Sequence, residues 1–466
     1  MYGKERWNLG DISSTAFHRR LFWLVLAVLT TSTLFLLSRT NSKISSFRPP
    51  SPEVHPVAVP PAKEPVKVPE PWRFDTHRDG LNYGLSDEQC DAAFPDIFQE
   101  LTRARDHIIK SKGSITKEDV HVDRKEEYKG RQHGEFHVMI FDGQLYIIKE
   151  VPGEPDRSRG LAALANMYRA LSSIPDPKSI PNIEFIFDIE DVAQDANHKP
   201  DRVRWTWARR TENPWFWVMP DFDGWAYPDD GVASYPQFRE DVAELELGYR
   251  NGWDEKPSKL SWRGSLAVNT QLRGDLVAAA KGHNWSDVEA IDWHDRSNIM
   301  AMQDFCRYQY VAHTEGNSWS GRLRYLHNCD SVPVIHKLDY VAHYYPLLKS
   351  SGPQQNFVEV NRNWSDLSEK MEYLIQHPDL ARHIAGESTR VFRDRYLTPA
   401  AEACYWRRMF KLWRSVMSFE PQSHRVAKDG KIVRRGVSWE RFAFRQEKSF
   451  EHGFFEEDKT KYDEED

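Results

Sequence analysis

The sequence lacks both an excess of basic residues and the repeated long apolar runs of a polytopic membrane protein. Its 63 Lys and Arg are outnumbered by 70 Asp and Glu, which gives a formal net charge of −7. Because nucleic-acid binding relies on excess positive charge, this balance argues against DNA or RNA as a partner. Hydrophobic residues reach only 40%, as expected for a soluble globular body. The 17 Trp, 18 Tyr and 24 Phe exclude a disordered chain.

Cysteine is also scarce, since the 466 residues include only Cys90, Cys306, Cys329 and Cys404. In an oxidising compartment this even number allows two disulfide bonds in three possible connectivities. In a reducing compartment the four thiols would be buried like small apolar side chains. The compartment therefore has to be inferred from another part of the sequence.

One uncharged apolar run, residues 21–37 (LFWLVLAVLTTSTLFLL), lies between basic flanks. As a helix it spans about 26 Å, enough for the thinner bilayers of the early secretory pathway. We expect a transmembrane anchor rather than a cleaved signal peptide, because no A-x-A site follows it. The large folded mass after this single span favours a type II topology, with residues 1–20 in the cytosol.

Residues 38–74 are rich in proline, which disfavours helix and sheet and favours an extended stem. An anchor, a stem and a large body are typical of a type II enzyme of the Golgi or endoplasmic reticulum membrane. A tethered receptor or binding protein shares this layout. The glycosylation sequons at Asn284 and Asn363 can be used only in the lumen.

The body from residue 75 onward alternates short apolar runs with longer amphipathic ones. We predict a hairpin over residues 135–149 that turns at Asp142-Gly143. Further strands are predicted at residues 183–189, 216–219, 259–263, 308–313 and 331–336. Helices are predicted at residues 161–171, 270–280, 319–328, 366–376 and 380–396. This alternation predicts an α/β fold with parallel sheets that bind ligands at the carboxyl ends of their strands.

The length of the body allows two such sheets that face each other across a cleft. We therefore divide it into residues 75–235 and residues 236–399, closed by a helix at residues 400–420. Residues 421–466 are expected to form a charged tail. Residues 451–466 alone carry eight acids and two lysines, a net charge of −6.

Two turns between a predicted strand and a predicted helix carry side chains that can bind anions. The first, Trp262-Arg263-Gly264-Ser265, precedes the helix that contains Arg273. The second begins at Glu315, continues through GNSWSG and ends at Arg322. Free N–H groups at a helix start and nearby guanidinium groups both bind phosphate. Either turn alone is unremarkable, but two in one half of the chain fit a diphosphate ligand such as a nucleotide sugar.

These turns belong to a larger set of motifs that resembles glycosyltransferase family 90. The set comprises residues 259–273, residues 306–331, Asp366-Leu367 and Cys404-Tyr405-Trp406, and the resemblance covers about residues 183–413. The family includes fungal capsule-associated proteins and animal protein O-glucosyltransferases. The resemblance implies a GT-B fold of two Rossmann-like domains, inverting transfer from a UDP-sugar, and no metal or other cofactor. The residues that it implies for UDP-sugar binding are Arg263, Gly264, Ser265, Arg273, Gly316, Asn317, Ser318, Trp319, Ser320, Gly321 and Arg322.

The resemblance also implies Asp191, just after the predicted strand 183–189, as the catalytic base. In inverting transfer one carboxylate takes the proton of the acceptor hydroxyl, and fixed positive groups stabilise the leaving diphosphate. Asp188 and Glu190 are neighbouring alternatives, and without the family Asp191 is an ordinary loop acid or helix cap. The D-x-D pattern Asp221-Phe222-Asp223 would instead predict a metal-dependent transferase. The resemblance argues against that metal site.

Two disulfide bonds are a further implication of the resemblance. Cys306 and Cys329 have the 23-residue separation of a bridge in the animal relatives. Cys90 and Cys404 would tie the start of the body to its last helix, as the Cys404-Tyr405-Trp406 motif does in the family. Closing loops of these sizes stabilises a fold by roughly 3–5 kcal/mol in the chain-entropy model.

The sequence therefore predicts a transferase that uses a UDP-sugar, with xylose or glucose as the favoured sugar, and a glycan or glycoprotein hydroxyl as acceptor. Its other expected partner is the membrane that holds the anchor. A non-catalytic carbohydrate-binding or scaffold protein of the same fold is the alternative. That alternative exists because Glu190-Asp191-Val192-Ala193 differs from the Arg-Asp-Tyr-Pro of the animal family members.

Overall fold

A computed structural model describes residues 72–120, 127–128, 131–132, 134–151, 157–191, 203–227, 232–292, 294–427 and 429–444. The predicted anchor, the predicted stem up to residue 71 and the acidic residues 451–466 lie outside these ranges. Within them, no helix has both the length and the apolar character needed to cross a membrane.

The strands and helices of the described residues alternate along the chain. The strands are β1 Glu127–Tyr128, β2 Arg131–Gln132, β3 Glu135–Phe141, β4 Gln144–Val151, β5 Ile183–Asp188, β6 Arg204–Thr206, β7 Arg209–Arg210, β8 Phe216–Val218, β9 Leu260–Gly264, β10 Ser286–Ala290, β11 Tyr310–His313, β12 Val332–His336, β13 Tyr340–Val341, β14 Val358–Val360, β15 His424–Val426, β16 Ile432–Arg434 and β17 Val437–Ser438. The α-helices are α1 Thr76–Asp79, α2 Asp87–Ala93, α3 Gln99–Ser111, α4 Arg157–Ser172, α5 Tyr235–Leu247, α6 Thr270–Ala280, α7 Arg322–Leu326, α8 Leu367–Gln376, α9 Pro378–Ser388, α10 Pro399–Arg414 and α11 Trp439–Phe442.

The second half of the body contains a five-stranded parallel sheet in the order β10-β9-β11-β12-β14. The register pairs Tyr310 of β11 with Leu260 of β9 and with Val332 of β12. Every residue of β9, β11 and β12 is buried, which is expected for strands covered by helices on both faces. Because the strands are parallel, the carboxyl ends of β9 and β11 meet at one edge of the sheet. That edge carries both predicted anion-binding turns.

The first half of the body contains a six-stranded sheet in the order β17-β4-β3-β5-β6-β8, and this sheet is mixed. Strand β3 pairs antiparallel with both β4 and β5, whereas β5, β6 and β8 are parallel. The α/β class is confirmed, but a parallel sheet in this half was the wrong expectation. The reason is the predicted hairpin itself, since Asp142 and Gly143 have φ of 51° and 73° and close a two-residue turn between antiparallel strands.

Each sheet has its own apolar core. The first core joins β3, β5 and β6 to α3, α4 and α10, and the second joins the parallel sheet to α6, α8 and α9. Helix α10 buries Tyr405, Trp406 and Trp413 against the first sheet. Cys404 of the same helix is bonded to Cys90, and Cys306 is bonded to Cys329. The structure therefore contains both expected disulfide bonds.

The expected charged tail was placed too early in the chain. Strands β15 and β16 form a hairpin, β17 adds to the edge of the first sheet beside β4, and α11 follows. Apolar residues explain this, because Val437 and Phe442 are buried in the first core. The helix predicted at residues 319–328 is also shorter, beginning only at Arg322. The residues before it form the second turn.

Candidate functional site

The two turns at the edge of the parallel sheet are joined by side-chain hydrogen bonds to backbone oxygens. Asn269 donates from Nδ2 to the carbonyl oxygen of Gly316 over 3.1 Å. Arg273 donates from Nη1 to the carbonyl oxygen of Ser265 over 2.8 Å and from Nε to that of Glu315 over 3.2 Å. Arg273 on α6 therefore fixes both turns while keeping its charge beside them.

A second arginine, at the end of the second turn and the start of α7, contacts the first turn. Arg322 donates from Nη1 to the carbonyl oxygen of Arg263 over 2.5 Å, and its buried Nε has no hydrogen-bond partner in the described residues. Burial, reinforced by the charge of Arg273, lowers the pKa of Arg322 to about 10. No carboxylate of the described residues acts on either guanidinium. Two charged arginines without a neighbouring acid among the described residues give this edge of the sheet the positive charge that an anion would need.

The charge of Arg263, in contrast, is paired with an acid and is not available to an anion at this site. Its Nη2 donates to Oδ1 of Asp287 over 2.6 Å, and its Nη1 donates to the backbone oxygens of Trp262 and Asp287. Strand β10 therefore neutralises the guanidinium of Arg263. What Arg263 brings to the site is the carbonyl oxygen that Arg322 contacts.

The second turn is fixed by a buried carboxylate, Glu315, whose role the sequence did not reveal. Its Oε1 accepts the N–H groups of Asp339 and Tyr340 at 3.0 and 2.9 Å, and its Oε2 accepts Nη1 of Arg362 at 2.7 Å. Burial raises the pKa of Glu315, and Arg362 opposes that rise. This network attaches the turn to the segments that follow β12 and β14.

Asp191 lies against the exposed face of the second turn. Its Oδ2 accepts Nδ2 of Asn317 at 3.0 Å, and its backbone oxygen accepts the hydroxyl of Ser318. Its Oδ1 accepts Nη1 of Arg159 on α4 at 2.6 Å. The predicted base and the predicted donor turn, which are 126 residues apart in sequence at Asn317, are therefore in direct contact.

The two alternative acids have other positions. Asp188, the last residue of β5, is 1% exposed, lies 3.3 Å from Nη1 of Arg204 and accepts the N–H of Glu190. Glu190 is 2% exposed and accepts the N–H of Gly134 at 3.2 Å. The side chain of Asp191 is 37% exposed. Of the three acids, Asp191 is the one that a substrate can reach.

The remaining residues of the second turn divide into exposed and buried ones. Asn317 is exposed and Ser320 is half-buried, whereas Ser318 and Trp319 are buried. The ring of Trp319 lies 6.4 Å from both Trp207 and Phe222, so it anchors the turn to the first core. Asn284 and Asn363 of the two sequons are exposed.

The D-x-D acids are buried. Asp221 lies 2.9 Å from Nη2 of Arg324, and Asp223 accepts the hydroxyl of Tyr325 at 3.2 Å. No group of three or more His, Cys, Asp or Glu side chains in the described part of the chain is arranged to hold a metal ion. A Cβ on Gly321 would lie 1.7 Å from Oδ2 of Asp223. This close approach requires glycine at the residue before Arg322, so Asp223 packs directly against the start of α7.

The buried acid pair predicts a pH-dependent stability. Burial and the charge of Asp221 raise the pKa of Asp223 to about 8, whereas an aspartate in the unfolded chain has a pKa of about 3.9. Between these values the folded chain holds a proton that the unfolded chain has lost, so stability falls as pH rises. We expect Asp223→Asn to raise the melting temperature relative to the parent more at pH 8 than at pH 5. The exposed Asp106→Asn is the control, and an equal shift at both pH values would contradict the raised pKa.

Comparison with known proteins extends the likeness to most of the body. A model of glycosyl transferase family 90 matches residues 86–440. The chain is 24% identical over 268 residues to the O-glucosyltransferase rumi homolog of Aedes aegypti, covering 53% of this chain and 64% of the relative. It is 24% identical over 264 residues to Protein O-glucosyltransferase 1 of Rattus norvegicus, covering 52% and 64%. The chain thus spans less than two thirds of the length of these curated relatives.

Proposed function

Because this chain belongs to glycosyl transferase family 90, we propose that it is an inverting glycosyltransferase that uses a UDP-sugar. The favoured sugars are xylose and glucose, and the acceptor is a hydroxyl group of a glycan or glycoprotein. The two relatives described above are named as O-glucosyltransferases, which supports glucose as the sugar and a hydroxyl group as the acceptor. The two α/β halves would face each other in a GT-B arrangement.

The observation that carries the proposal is the contact between an exposed carboxylate and an arginine-lined turn. Oδ2 of Asp191 lies 3.0 Å from Nδ2 of Asn317. The turn that carries Asn317 ends at Arg322, and Arg273 donates to the carbonyl oxygen of Glu315 at its start. A sugar whose diphosphate binds the two arginines would have its anomeric carbon near Asp191. The charge distribution therefore supports a base on one side of the sugar and a stabilised leaving group on the other.

The proposed reaction is a single displacement at the anomeric carbon. The acceptor oxygen bonds to that carbon while the bond to the β-phosphate oxygen breaks, and UDP leaves with the electron pair. Asp191 takes the proton of the acceptor hydroxyl. Arg322 and Arg273 stabilise the charge that grows on the diphosphate. Attack opposite the leaving group inverts the configuration of the anomeric carbon.

The function is tested by release of UDP from candidate donors. The protein without residues 1–71 would be expressed in a secretory host and incubated with UDP-xylose, UDP-glucose or UDP-galactose, with and without a glycan acceptor. We expect acceptor-dependent UDP release with UDP-xylose or UDP-glucose. If UDP binds but no donor is turned over, the non-catalytic carbohydrate-binding alternative is favoured.

We also expect the reaction to need no divalent cation, since positively charged side chains can take a metal's place at the diphosphate. Treatment with EDTA should therefore change the transfer rate by less than about twofold, a small effect beside the usual 10²–10⁴-fold of an essential catalytic group. The same assay after addition of manganese is the comparison. Complete loss of activity in EDTA with recovery in manganese would support the D-x-D alternative.

The sequence around the body supports a location in the Golgi or endoplasmic reticulum. We propose that residues 21–37 anchor the protein as a single-pass type II membrane protein, with the body in the lumen. Disulfide bonds Cys90–Cys404 and Cys306–Cys329 and the exposed sequon residues Asn284 and Asn363 suit that oxidising compartment. Sensitivity of the expressed protein to an N-glycosidase would test the lumenal position.

A further inference from the structure

The carboxylate of Asp191 has donors on both of its oxygens, and the two donors come from different parts of the fold. Asn317 of the second turn donates to Oδ2, and Arg159 of α4 donates to Oδ1. A carboxylate oxygen can accept more than one hydrogen bond. The two contacts therefore fix the plane of the carboxylate and still leave acceptor positions for the proton of a substrate hydroxyl.

Arg159 is well placed to hold Asp191, because its own position is fixed from two sides. Its guanidinium lies over the ring of Phe222, 5.1 Å from the centroid, and Phe222 packs against Trp207 and Trp319. The next residue, Gly160, brings α4 so close to the sheet that a Cβ would lie 2.4 Å from the ring of Phe136. The guanidinium of Arg159 is therefore carried by a closely packed helix and lies over a buried aromatic ring.

We infer that Arg159 is a positioning residue for the transfer reaction, which orients the carboxylate of Asp191 toward the acceptor. This inference rests on the proposed function. Arg159 donates to Oδ1 of Asp191, the oxygen that does not accept from Asn317, and it acts from the first half of the body. A positioning role predicts a loss in the rate of the chemical step with little change in donor affinity.

A matched control is available two residues earlier on α4, on a different face of the helix. Arg157 of α4 pairs with Glu150 at 2.5 Å and lies 5.5 Å from the ring of Phe442. Its side chain is 17% exposed and that of Arg159 is 18% exposed. Both residues are thus mostly buried arginines that pair with a carboxylate and lie over an aromatic ring. Only Arg159 contacts the candidate base.

The experiment measures kcat and KM for the UDP-sugar, together with melting temperature, in Arg159→Ala, Arg157→Ala and the parent. We expect Arg159→Ala to lower kcat by about 10–100-fold, the scale of a misplaced reacting group, with KM nearly unchanged. Arg159→Lys should restore part of the rate, because one donor returns without the planar geometry of the guanidinium. Arg157→Ala should keep the rate of the parent.

A double-mutant cycle separates positioning from a structural role. If Arg159 acts through Asp191, the variant Asp191→Asn/Arg159→Ala should be no slower than Asp191→Asn alone, because the group being positioned is already missing. The inference is overturned if the rate losses of the two single variants multiply in the double variant, or if Arg157→Ala loses as much rate as Arg159→Ala. Either result leaves the proposed function in place. A parent enzyme that transfers no sugar would overturn both.

Discussion

Asp191→Asn should lower the rate of sugar transfer by about 10²–10⁴-fold, the usual contribution of a general base. The amide keeps the size of the side chain, and its oxygen can still accept from Arg159, whereas its NH₂ replaces the oxygen that accepts from Asn317. It has no basic lone pair to take the proton of the acceptor hydroxyl. Donor binding should be nearly unchanged, because the diphosphate is expected to bind Arg322 and Arg273 on the other side of the sugar.

The measurement is acceptor-dependent UDP release at saturating donor, with UDP affinity measured in parallel by titration calorimetry. Asp106→Asn on α3, with a 57% exposed side chain, is the control for the loss of one acid. Should the Asp191 variant remain active, the role of base would move to Asp188, Glu190 or another acid. Loss of UDP binding in that variant would instead make Asp191 structural.

Arg322→Ala should weaken UDP binding by about 2–4 kcal/mol, or roughly 30- to 900-fold, because a charge-assisted contact is lost and the anion is left under-paired. Arg322 is the stronger candidate of the two arginines, since its Nε is buried without a hydrogen-bond partner in the described residues. Arg322→Lys should recover only part of the affinity, because an ammonium group cannot form the bidentate contact of a guanidinium.

The affinity of UDP for each variant can be measured directly, independently of turnover. Arg382→Ala removes a positive charge from the same half of the body, at a surface residue paired with Asp254 and Asp379. It should leave the affinity unchanged, because exposed pairs far from a site contribute little. Equal affinity of the parent and Arg322→Ala would show that the donor site lies elsewhere.

The sequence by itself determined the local elements of the fold with good accuracy. Helix α6 has the predicted bounds Thr270–Ala280, and the Asp142-Gly143 turn joins β3 and β4 as expected. These features depend on periodicity and turn chemistry, which act over a few residues. The strand and helix patterns also sufficed to place both predicted anion-binding turns at strand ends. Pairing of the four cysteines came from the resemblance to a family.

The acid–arginine contacts were decided only by the tertiary structure. Nothing in the local sequence indicates that Arg159 meets Asp191 32 residues later, or that Glu315 fixes the second turn through Arg362. The same holds for the buried network of Asp221 and Arg324, which from sequence alone resembled part of a metal site. Which charged groups pair depends on which of them are buried next to each other, and long-range packing determines this. The addition of β17 to the first sheet beside β4 has the same cause, since pairing between distant strands reflects burial across the whole chain.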